Sequence, residues 1–233
     1  MSIRISSRES PEMYLKSIHQ LGAEREPVAI STLADQLGIS PVSATEMIHR
    51  MVKRDLVEHI PYKGVSLTKR GQNQALAVIR RHRLWERFLV DRLGLPWEQV
   101  HDVACQLEHS VGSEVTEPLA ADLGQPATCP HGSPIPSAEG EMPSEAGPKL
   151  TELGAGQRAV VDVIHPETAE VLQYLASRGV TPGVELEVIE IEPFEGPRTI
   201  SVGTKQVVIG KELASCVEVR PIIASRKRSS GIE

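Results

Sequence analysis

The segment 101–109, H-D-V-A-C-Q-L-E-H, is rich in side chains of the types that bind metal ions. Four of them stand at i, i+4, i+7 and i+8: His101, Cys105, Glu108 and His109. If the segment is helical, these positions fall within about 100° of one face. Upstream, His82 and Glu86 repeat the i, i+4 spacing. Imidazole, thiolate and carboxylate groups together suit a first-row transition metal better than calcium or magnesium.

Each of these residues also has a structural interpretation without a metal. His82 and Glu86 alone could form a surface pair that stabilises a helix by only about 0.2–0.5 kcal/mol. A free cysteine such as Cys105 is most often a small core residue. The spacing alone therefore indicates a metal centre but leaves the structural alternative open.

The composition is that of an intracellular protein long enough for two compact domains. The 233 residues and the hydrophobic share of 40% allow ordinary cores. Three cysteines (Cys105, Cys129, Cys216) lie far apart, which argues against a disulfide framework and for a reducing cytoplasm. The sequence has no run of about 18 apolar residues, and residues 1–12 lack the apolar stretch of a signal peptide. We therefore expect a cytoplasmic protein that neither spans a membrane nor is exported.

Charge is unevenly distributed along the chain, whose formal net charge is −6. Residues 1–93 carry 15 Lys and Arg against 10 Asp and Glu, whereas residues 94–233 carry 10 against 21. A basic N-terminal part beside an acidic remainder is the asymmetry expected where only one domain meets the phosphates of DNA.

The basic part has the pattern of a winged helix-turn-helix. Three helical periods are followed by two strands: Pro11–Leu21, Ser31–Leu37, Pro41–Arg54, Val57–Ile60 and Val65–Thr68. The predicted N-caps are Ser10, Ser31, Ser40 and, for the next helix, Thr68. Gly38 supplies the tight turn between the second and third helices. Order, lengths and turn residue favour a DNA-binding domain over three packed helices and a hairpin without that function.

The third helix would be the recognition helix. Its apolar positions predict a buried side: Val42, Ile48, Met51 and Val52. The groups expected to meet bases or phosphates are Ser40, Ser43, Thr45, Glu46, Arg50, Lys53 and Lys63. Glu46 can accept a hydrogen bond from cytosine N4 but repels phosphate, so it would read a base edge.

The middle of the chain predicts dimerisation. Helices are expected at 69–93, from Pro96 to about Gly112, and at Glu114–Leu123. Their apolar residues exceed what one small winged helix can bury: Ala75, Val78, Ile79, Trp85, Phe88, Leu89 and Leu93. Six prolines within 124–148 then predict an irregular connector and a linker.

From about Leu153 the pattern alternates as in β-strands. Strands are predicted at Arg158–Ile164, Glu185–Ile191, Thr199–Val202, Gln206–Ile209 and Cys216–Arg220. A helix, Glu167–Arg178, ends at Gly179. Five short strands in this length predict a small β-barrel. The expected domains are therefore 1–73, 74–148 and 149–222, with a disordered tail at 223–233.

Four motifs show a resemblance to a known family. They are E-M-Y-L-K at 12–16, R-H-R-L-W-E at 81–86, V-H-D-V-A-C-Q-L-E-H at 100–109 and C-P-H-G-S-P-I-P at 129–136. With this domain order, the chain resembles the diphtheria toxin repressor family of iron-dependent regulators. The resemblance covers nearly the whole chain. It implies a mainly α fold with β structure: a winged helix-turn-helix, a helical dimerisation domain and a C-terminal SH3-like, FeoA-like β-barrel.

The resemblance also implies two metal sites per subunit. The first would use His82, Glu86, His101, Glu167 and Glu170. The second would use Met13, Cys105 (through its thiolate or its backbone carbonyl), Glu108 and His109. Glu170 departs from the family pattern, which has an amide there. Arg83 and Ser133 match groups that hold an anion in the family, but the third such group falls on Cys129, a poor donor to an oxyanion. Cys129 and His131 look like half of a zinc site without a second pair, so we expect structural turn residues.

The function implied is that of a homodimeric, divalent-metal-activated transcriptional repressor of iron homeostasis genes, acting at a pseudopalindromic operator. A thioether and a thiol at the second site favour Fe²⁺, with Co²⁺, Ni²⁺ or Zn²⁺ as substitutes in vitro. Manganese sensors that resemble this family carry carboxylates where this chain has Met13 and Cys105, so a manganese-responsive regulator is the alternative. A helix-turn-helix regulator with an organic effector would need an apolar pocket, and a metalloenzyme would need an open coordination position and a nearby acid or base. We therefore expect no enzyme activity, no small organic substrate and no membrane partner.

Overall fold

The computed structural model describes residues 10–22, 26–110, 112–143 and 147–222. The expected tail, 223–233, lies outside these residues. The chain divides into two compact units. The first contains the chain up to Gly94 together with Asp102–Ala127 and Pro134–Pro143, and the second contains Leu95–His101, Thr128–Ser133 and the C-terminal part. In the described residues, no helix is long and apolar enough to cross a membrane.

The first unit begins with the predicted winged helix-turn-helix. Its elements are α1 (Pro11–Gln20), α2 (Ile30–Leu37), α3 (Pro41–Lys53), β1 (Val57–Ile60) and β2 (Gly64–Leu67). Ser10 caps α1 by accepting from the Glu12 amide at 3.3 Å, and Ser40 caps α3 by accepting from the Ser43 amide at 3.1 Å. The expected cap at Ser31 is wrong, because α2 starts one residue earlier, after Ala29, without a side-chain cap.

Two glycines are required by this fold. Gly38 ends α2 in the left-handed conformation, with φ of +64°. At Gly64, where β2 starts, a Cβ atom would lie 2.0 Å from the Val28 carbonyl oxygen. Only glycine allows the 26–29 segment to approach the wing this closely, and Val28 and Val65 exchange backbone hydrogen bonds there, each of 2.9 Å.

The buried face of α3 differs from the predicted one. Ile48 and Met51 are buried as expected, but they are joined by Ala44 and Met47. Val42 is 70% exposed and Val52 is 40% exposed, so their assignment to the core was wrong. The core of the winged helix takes the face defined by positions 44, 47, 48 and 51, and Val42 is left on the polar face instead.

Three further helices follow: α4 (Lys69–Asp91), α5 (Val100–Ser110) and α6 (Thr116–Asp122). All of them belong to the first unit except the first two residues of α5. Thr68 caps α4 as predicted, by accepting from the Gly71 amide at 3.0 Å. Short 3-10 turns at Trp97–Gln99 and Ser113–Val115 replace the predicted starts of the next two helices. The unit boundary falls inside α5, after His101.

A buried arginine fixes α6 and the connector to α4. Arg80 donates to both Glu117 carboxylate oxygens, at 3.0 and 2.9 Å, and to the Pro136 carbonyl at 2.8 Å. A small apolar cluster packs around Leu84 in the same region, with Trp85 and Phe88 partly buried against it. Leu93 at the end of this segment is 57% exposed.

The described C-terminal residues form the predicted small β-domain. Its elements are β3 (Arg158–Ile164), α7 (Ala169–Ser177), β4 (Glu185–Ile191), β5 (Arg198–Val202), β6 (Lys205–Ile209), α8 (Lys211–Ser215) and β7 (Val217–Pro221). The strands pair antiparallel in the order β6-β5-β4-β3-β7. Register shifts between Val161 and Val163 and between Val188 and Glu190 bend the sheet around its apolar core. The sequence prediction missed α8.

Candidate metal centre

A buried carboxylate, Glu108, lies at the centre of a group of charged side chains in the first unit. The group is drawn from α1, α4 and α5, and we call it the Glu108 cluster: Glu12, Lys16, Arg81, His82, Glu86, Cys105, Glu108 and His109. Lys16 places its Nζ atom 2.9 and 3.2 Å from the two Glu108 oxygens and 3.9 Å from Cys105 Sγ. The Glu108 side chain has no exposed surface and that of Lys16 is 6% exposed. The sequence analysis did not identify Lys16.

The imidazole of His82 lies between two carboxylates within this cluster. Its Nε2 atom is 2.9 Å from Glu86 Oε1 and its Nδ1 atom is 2.7 Å from Glu108 Oε2. The Cys105 sulfur is 3.9 Å from the same Nδ1 atom. The i, i+4 pair of His82 and Glu86 is therefore buried, which excludes its interpretation as a surface pair.

The second histidine of the cluster, His109, connects α5 to α1. Its Nδ1 atom is 2.7 Å from Glu12 Oε2, and its Nε2 atom is 3.1 Å from Glu108 Oε1. Arg81 of α4 supports the same contact, because it donates to Glu12 Oε1 at 2.8 Å and to the Glu108 backbone carbonyl at 3.0 Å. Side chains from all three helices thus meet at this point.

The charges of the cluster shift one another's pKa values. Burial alone would raise the pKa of Glu108, but hydrogen bonds from His109 and His82 and the Lys16 charge hold it well below its usual range. Burial alone would lower the pKa of His82, yet the Glu86 charge together with hydrogen bonds to Cys105 and Glu108 raises it to about 10. His109 behaves likewise, and hydrogen bonds to Glu108 and Glu12 raise its pKa to about 9. In this arrangement both imidazoles are therefore protonated at neutral pH.

Met13, which the resemblance implies as a further ligand, packs partly buried against the core of the winged helix. Among the described residues, Glu12 and Lys16 of α1 contact Cys105, Glu108 and His109 of α5. These two residues stand on either side of Met13 within E-M-Y-L-K, so the motif lies in the segment of α1 that contacts α5.

A second carboxylate, that of Glu167, is surrounded by polar side chains within the second unit. His101 Nδ1 lies 3.2 Å from Glu167 Oε2, and Ser133 Oγ donates to Glu167 Oε1 at 3.0 Å. His131 Nδ1 and His165 Nδ1 lie farther from Oε1, at 3.8 and 3.9 Å. We call this the Glu167 cluster and include Cys129, whose sulfur is 3.8 Å from His131 Nδ1.

Within the Glu167 cluster, His131 has the orientation of a metal-binding histidine. Its Nε2 atom is 2.8 Å from the Trp97 carbonyl oxygen, which makes Nε2 the donor and directs the Nδ1 lone pair towards Cys129 and Glu167. Both His131 and Cys129 are buried. The sequence predicts structural turn residues at these two positions. Their C-x-H spacing was the available signal for a metal site, and the third group, Glu167, lies 36 residues after His131 along the chain.

The remaining residues of the predicted first site are placed as follows. Glu170 is exposed in the first turn of α7. Of the predicted anion contacts, Arg83 donates to the Pro134 carbonyl and lies 3.7 Å from the Met142 sulfur, whereas Ser133 donates to Glu167. Both groups therefore have partners within the protein.

The start of the recognition helix α3 presents small hydroxyl groups. The Ser40 and Ser43 hydroxyls lie 3.0 Å apart at its exposed first turn. Thr45 donates its hydroxyl to the Pro41 carbonyl at 2.7 Å, which fixes the orientation of its side chain. Val42 is exposed beside them.

Charged groups continue along the exposed side of α3 and into the wing. Glu46 and Arg50 form an exposed i, i+4 pair at 3.7 Å, and Lys53 is exposed at the end of the helix. Lys63 is exposed at the turn of the wing, next to the fully exposed ring of Tyr62. These positions form one basic and polar surface on the predicted DNA-binding elements.

Comparisons with known proteins give matches along the chain. The N-terminal DNA binding domain of the iron dependent repressors matches residues 8–65, their metal binding and dimerisation domain matches residues 68–137, and the FeoA domain matches residues 149–221. The iron-dependent repressor IdeR of Mycobacterium tuberculosis is 34% identical, over 92% of this chain and 98% of that protein. The chain belongs to the iron-dependent repressor family.

Other members of the family are similar in sequence and structure. The diphtheria toxin repressor of Corynebacterium jeikeium is 37% identical over 62% of this chain and 60% of that protein. A manganese-dependent transcriptional repressor in complex with manganese has a TM-score of 0.83 at 33% identity, covering 91% of this chain and all of its own. The IdeR of T. acidophilum has a TM-score of 0.74 at 26% identity, over 91% of this chain and 98% of its own. The chain is thus a metal-dependent transcriptional repressor with the domain types that the sequence predicted.

Proposed function

We propose that this repressor is a cytoplasmic homodimer that Fe²⁺ activates to bind a pseudopalindromic operator of iron homeostasis genes. Each subunit would hold metal at two places, one in the Glu108 cluster and one in the Glu167 cluster. The observation that carries the proposal is the contact of α5 with α1 at Glu108, because it joins metal-ligand chemistry directly to the DNA-binding domain.

The donor set of the Glu108 cluster fits a transition metal ion. Cys105, Glu108 and His109 offer a sulfur, a carboxylate and an imidazole, and His82 lies against the same carboxylate. A thiol favours a softer ion than Mn²⁺, which supports Fe²⁺ at this cluster. A bound divalent ion would supply two positive charges where α1 meets α5. An organic effector would instead need an apolar pocket, which this assembly of ionisable groups does not provide.

The protein's own side chains convert metal binding into a change at the DNA-binding domain. Glu12 and Lys16 lie on α1, whose apolar side packs into the winged-helix core through Tyr14, Leu15 and Ile18. Redistribution of charge at Glu108 therefore changes the forces on a helix that is part of the DNA-binding domain. By linkage, operator DNA must tighten metal binding by the same factor as metal tightens DNA binding.

The DNA-contacting surface would consist of the start of α3 and the wing. Ser40, Ser43 and Glu46 can exchange hydrogen bonds with base edges or phosphates, and exposed Val42 suits contact with a thymine methyl group. The cationic side chains Arg50, Lys53 and Lys63 would contact phosphates and make binding sensitive to salt.

The Glu167 cluster suits a second ion, with Glu167, His101, His131 and Cys129 as ligands in the second unit. Its carboxylate and imidazoles accept Mn²⁺ as well as Fe²⁺, and one similar solved structure is that of a manganese-dependent transcriptional repressor in complex with manganese. Manganese is therefore the alternative effector. Glu170, exposed in the first turn of α7, would join only if that helix moved.

Operator binding tests the proposal. Purified protein is stripped with a chelator and titrated onto a pseudopalindromic operator, without metal and with anaerobic Fe²⁺ or Mn²⁺. We expect Fe²⁺ to strengthen DNA binding at least about tenfold, which corresponds to about 1.4 kcal/mol of coupling. Cys105→Ala should abolish most of this gain, whereas Cys216→Ala, a matched change in the β-domain, should retain it. Equal DNA affinity with and without divalent metal would rule the mechanism out.

The choice of metal has its own test. Replacing Met13 by Asp and Cys105 by Glu gives the site harder oxygen ligands, so activation should shift towards Mn²⁺. The concentrations of Fe²⁺ and Mn²⁺ that half-activate DNA binding are compared for the unaltered and altered proteins. If the unaltered protein responds to Mn²⁺ at concentrations where anaerobic Fe²⁺ has no effect, manganese is the effector.

A further inference from the structure

Lys16 is a charged side chain inside the Glu108 cluster that is not itself a metal ligand. Lysine is rarely buried unless it is paired, and here its partner is Glu108. The ammonium contacts both carboxylate oxygens, at 3.2 Å for Oε1 and 2.9 Å for Oε2. The ammonium therefore occupies the position beside both carboxylate oxygens that a bound metal ion would take.

The acceptor positions of Glu108 are filled by protein groups. A carboxylate has about four lone-pair positions, two on each oxygen. Among the described residues, Lys16 and His109 approach Oε1, and Lys16 and His82 approach Oε2. A metal ion can therefore bind Glu108 only if one of these nitrogens leaves or changes its role.

Lys16 is the group that must leave. An imidazole that loses its proton offers a lone pair and can turn from a hydrogen-bond donor to Glu108 into a metal ligand. An ammonium group has three donors and no lone pair, and its positive charge repels a divalent ion at the distance of a shared carboxylate. Its flexible four-carbon stem allows the ammonium to move out while α1 stays helical.

We propose that Lys16 is a built-in cation that competes with the divalent ion for Glu108 and so sets the metal concentration at which the repressor is activated. The inference rests on the proposed role of the Glu108 cluster as a metal site. In the metal-free protein, Lys16 neutralises the buried carboxylate and holds α1 against α5. When a divalent ion takes its place, the Lys16–Glu108 ion pair is lost. The free energy of that ion pair then reduces the free energy of metal binding.

Metal titration of the full-length protein tests this competition. Co²⁺ is added to chelator-stripped protein without DNA, and binding is followed by the visible absorption of cobalt bound to sulfur and nitrogen. Lys16→Met and Lys16→Gln should each bind Co²⁺ at the Cys105-dependent site at least about tenfold more tightly than the unaltered protein. Lys69→Met, which removes an exposed lysine from α4, is the matched control and should bind as the unaltered protein does.

Thermal unfolding, with and without metal, gives a second readout. Lys16→Met and Lys16→Gln should lower the thermal unfolding midpoint of the metal-free protein, and saturating Co²⁺ should raise it by more than in the unaltered protein. Two variants are used because the glutamine keeps a hydrogen-bond donor at Glu108 if the methionine does not fold. Unchanged or weaker Co²⁺ binding in the folded variants overturns the competition. If the unaltered protein itself shows no Cys105-dependent Co²⁺ binding, the metal site of the proposed function fails, and the inference fails with it.

Discussion

The two carboxylates at the centres of the clusters are satisfied by different kinds of partner. Glu108 is completely buried and faces the lysine ammonium and two imidazoles whose pKa values are raised to about 10 and about 9. Glu167 retains 12% exposure of its side chain, accepts a hydrogen bond from the neutral Ser133 hydroxyl and has imidazoles around it. Metal at Glu108 must displace the Lys16 ammonium, whereas metal at Glu167 would displace the neutral Ser133 hydroxyl. The comparison predicts that the stability of the first unit depends more strongly on the Glu108 charge and on pH than the stability of the second unit depends on Glu167.

The largest expected effect comes from removal of the Glu108 charge. Glu108→Gln leaves the Lys16 ammonium buried without its counter-charge, so the first unit should lose about 3–5 kcal/mol of unfolding free energy in the metal-free protein. Glu167→Gln keeps an oxygen for Ser133 and should cost the second unit about 1 kcal/mol. Urea unfolding measures both, and the two tryptophans separate the units: Trp85 reports the first in a Trp97→Phe background, and Trp97 the second in a Trp85→Phe background.

The double variant Glu108→Gln with Lys16→Met is the control for this experiment. It removes both buried charges, so it should recover part of the stability that Glu108→Gln loses. Equal losses from Glu108→Gln and Glu167→Gln would contradict the distinction between the two carboxylates.

The next effect is the dependence of metal-free stability on pH. His82 and His109 have pKa values above that of about 6.5 expected in the unfolded chain. Their stabilising contribution is therefore fully present below about pH 6.5 and is lost as the pH rises through about 9 and 10. At about 1.4 kcal/mol for each pKa unit, the two shifts would amount to about 8 kcal/mol if they were independent. They are coupled, because both imidazoles contact Glu108, so we expect the first unit to lose a fraction of this, roughly 2 kcal/mol of unfolding free energy, between pH 6.5 and pH 10.

Urea unfolding at a series of pH values, followed through Trp85, measures this loss. His109→Gln removes one of the two groups and should flatten the dependence near pH 9. A first-unit stability that rises over this pH range would show that the imidazoles are not held protonated in the metal-free protein.

The smallest effect concerns the neutral donor at Glu167. Ser133→Ala removes one hydrogen bond of 3.0 Å and should lower the stability of the second unit by about 1 kcal/mol. The half-buried Ser201, in β5, gives a matched control, because Ser201→Ala removes the same hydroxyl group, with its hydrogen bond to the Gly203 carbonyl, away from Glu167. Should Ser133→Ala destabilise the second unit as much as Glu108→Gln destabilises the first, the neutral hydrogen bond would be a poor description of this cluster.

The fold could be predicted from the sequence where local rules decide. Ser40 and Pro41 fix the start of α3, and the alternation of apolar residues located β3 to β7 within a residue or two. Local rules failed at α2, where Ser31 resembles a cap but Ala29 precedes the helix, and at Val42, whose apolar side chain does not reach the core. These failures have one cause: the buried face of a helix and its first residue are determined by tertiary packing, which a local sequence pattern does not contain.

The candidate sites were predictable only where ligands share a helix. The i, i+4 and i, i+7 spacings revealed the residues of α4 and α5 because one helix carries them on one face. The contact of Lys16 with Glu108 joins residues 92 positions apart, and no local pattern encodes it. The partnership of His131 with Glu167 is hidden in the same way, because a turn and the end of a strand meet only after the chain has folded.

Glu12 and Lys16 stand one helical turn apart, and both bind residues of α5. These contacts hold the helix α1 at two successive turns, which fixes both its position along its own axis and its rotation about that axis. Release of Lys16 alone removes one of the two contacts and leaves the contact of Glu12, in the first turn. The N-terminal turn then stays bonded to α5 through Glu12, while the C-terminal half keeps its apolar contacts with the winged-helix core through Leu15 and Ile18. The order of the two contacts along α1 thus separates the part of the helix that answers to α5 from the part that answers to the DNA-binding core.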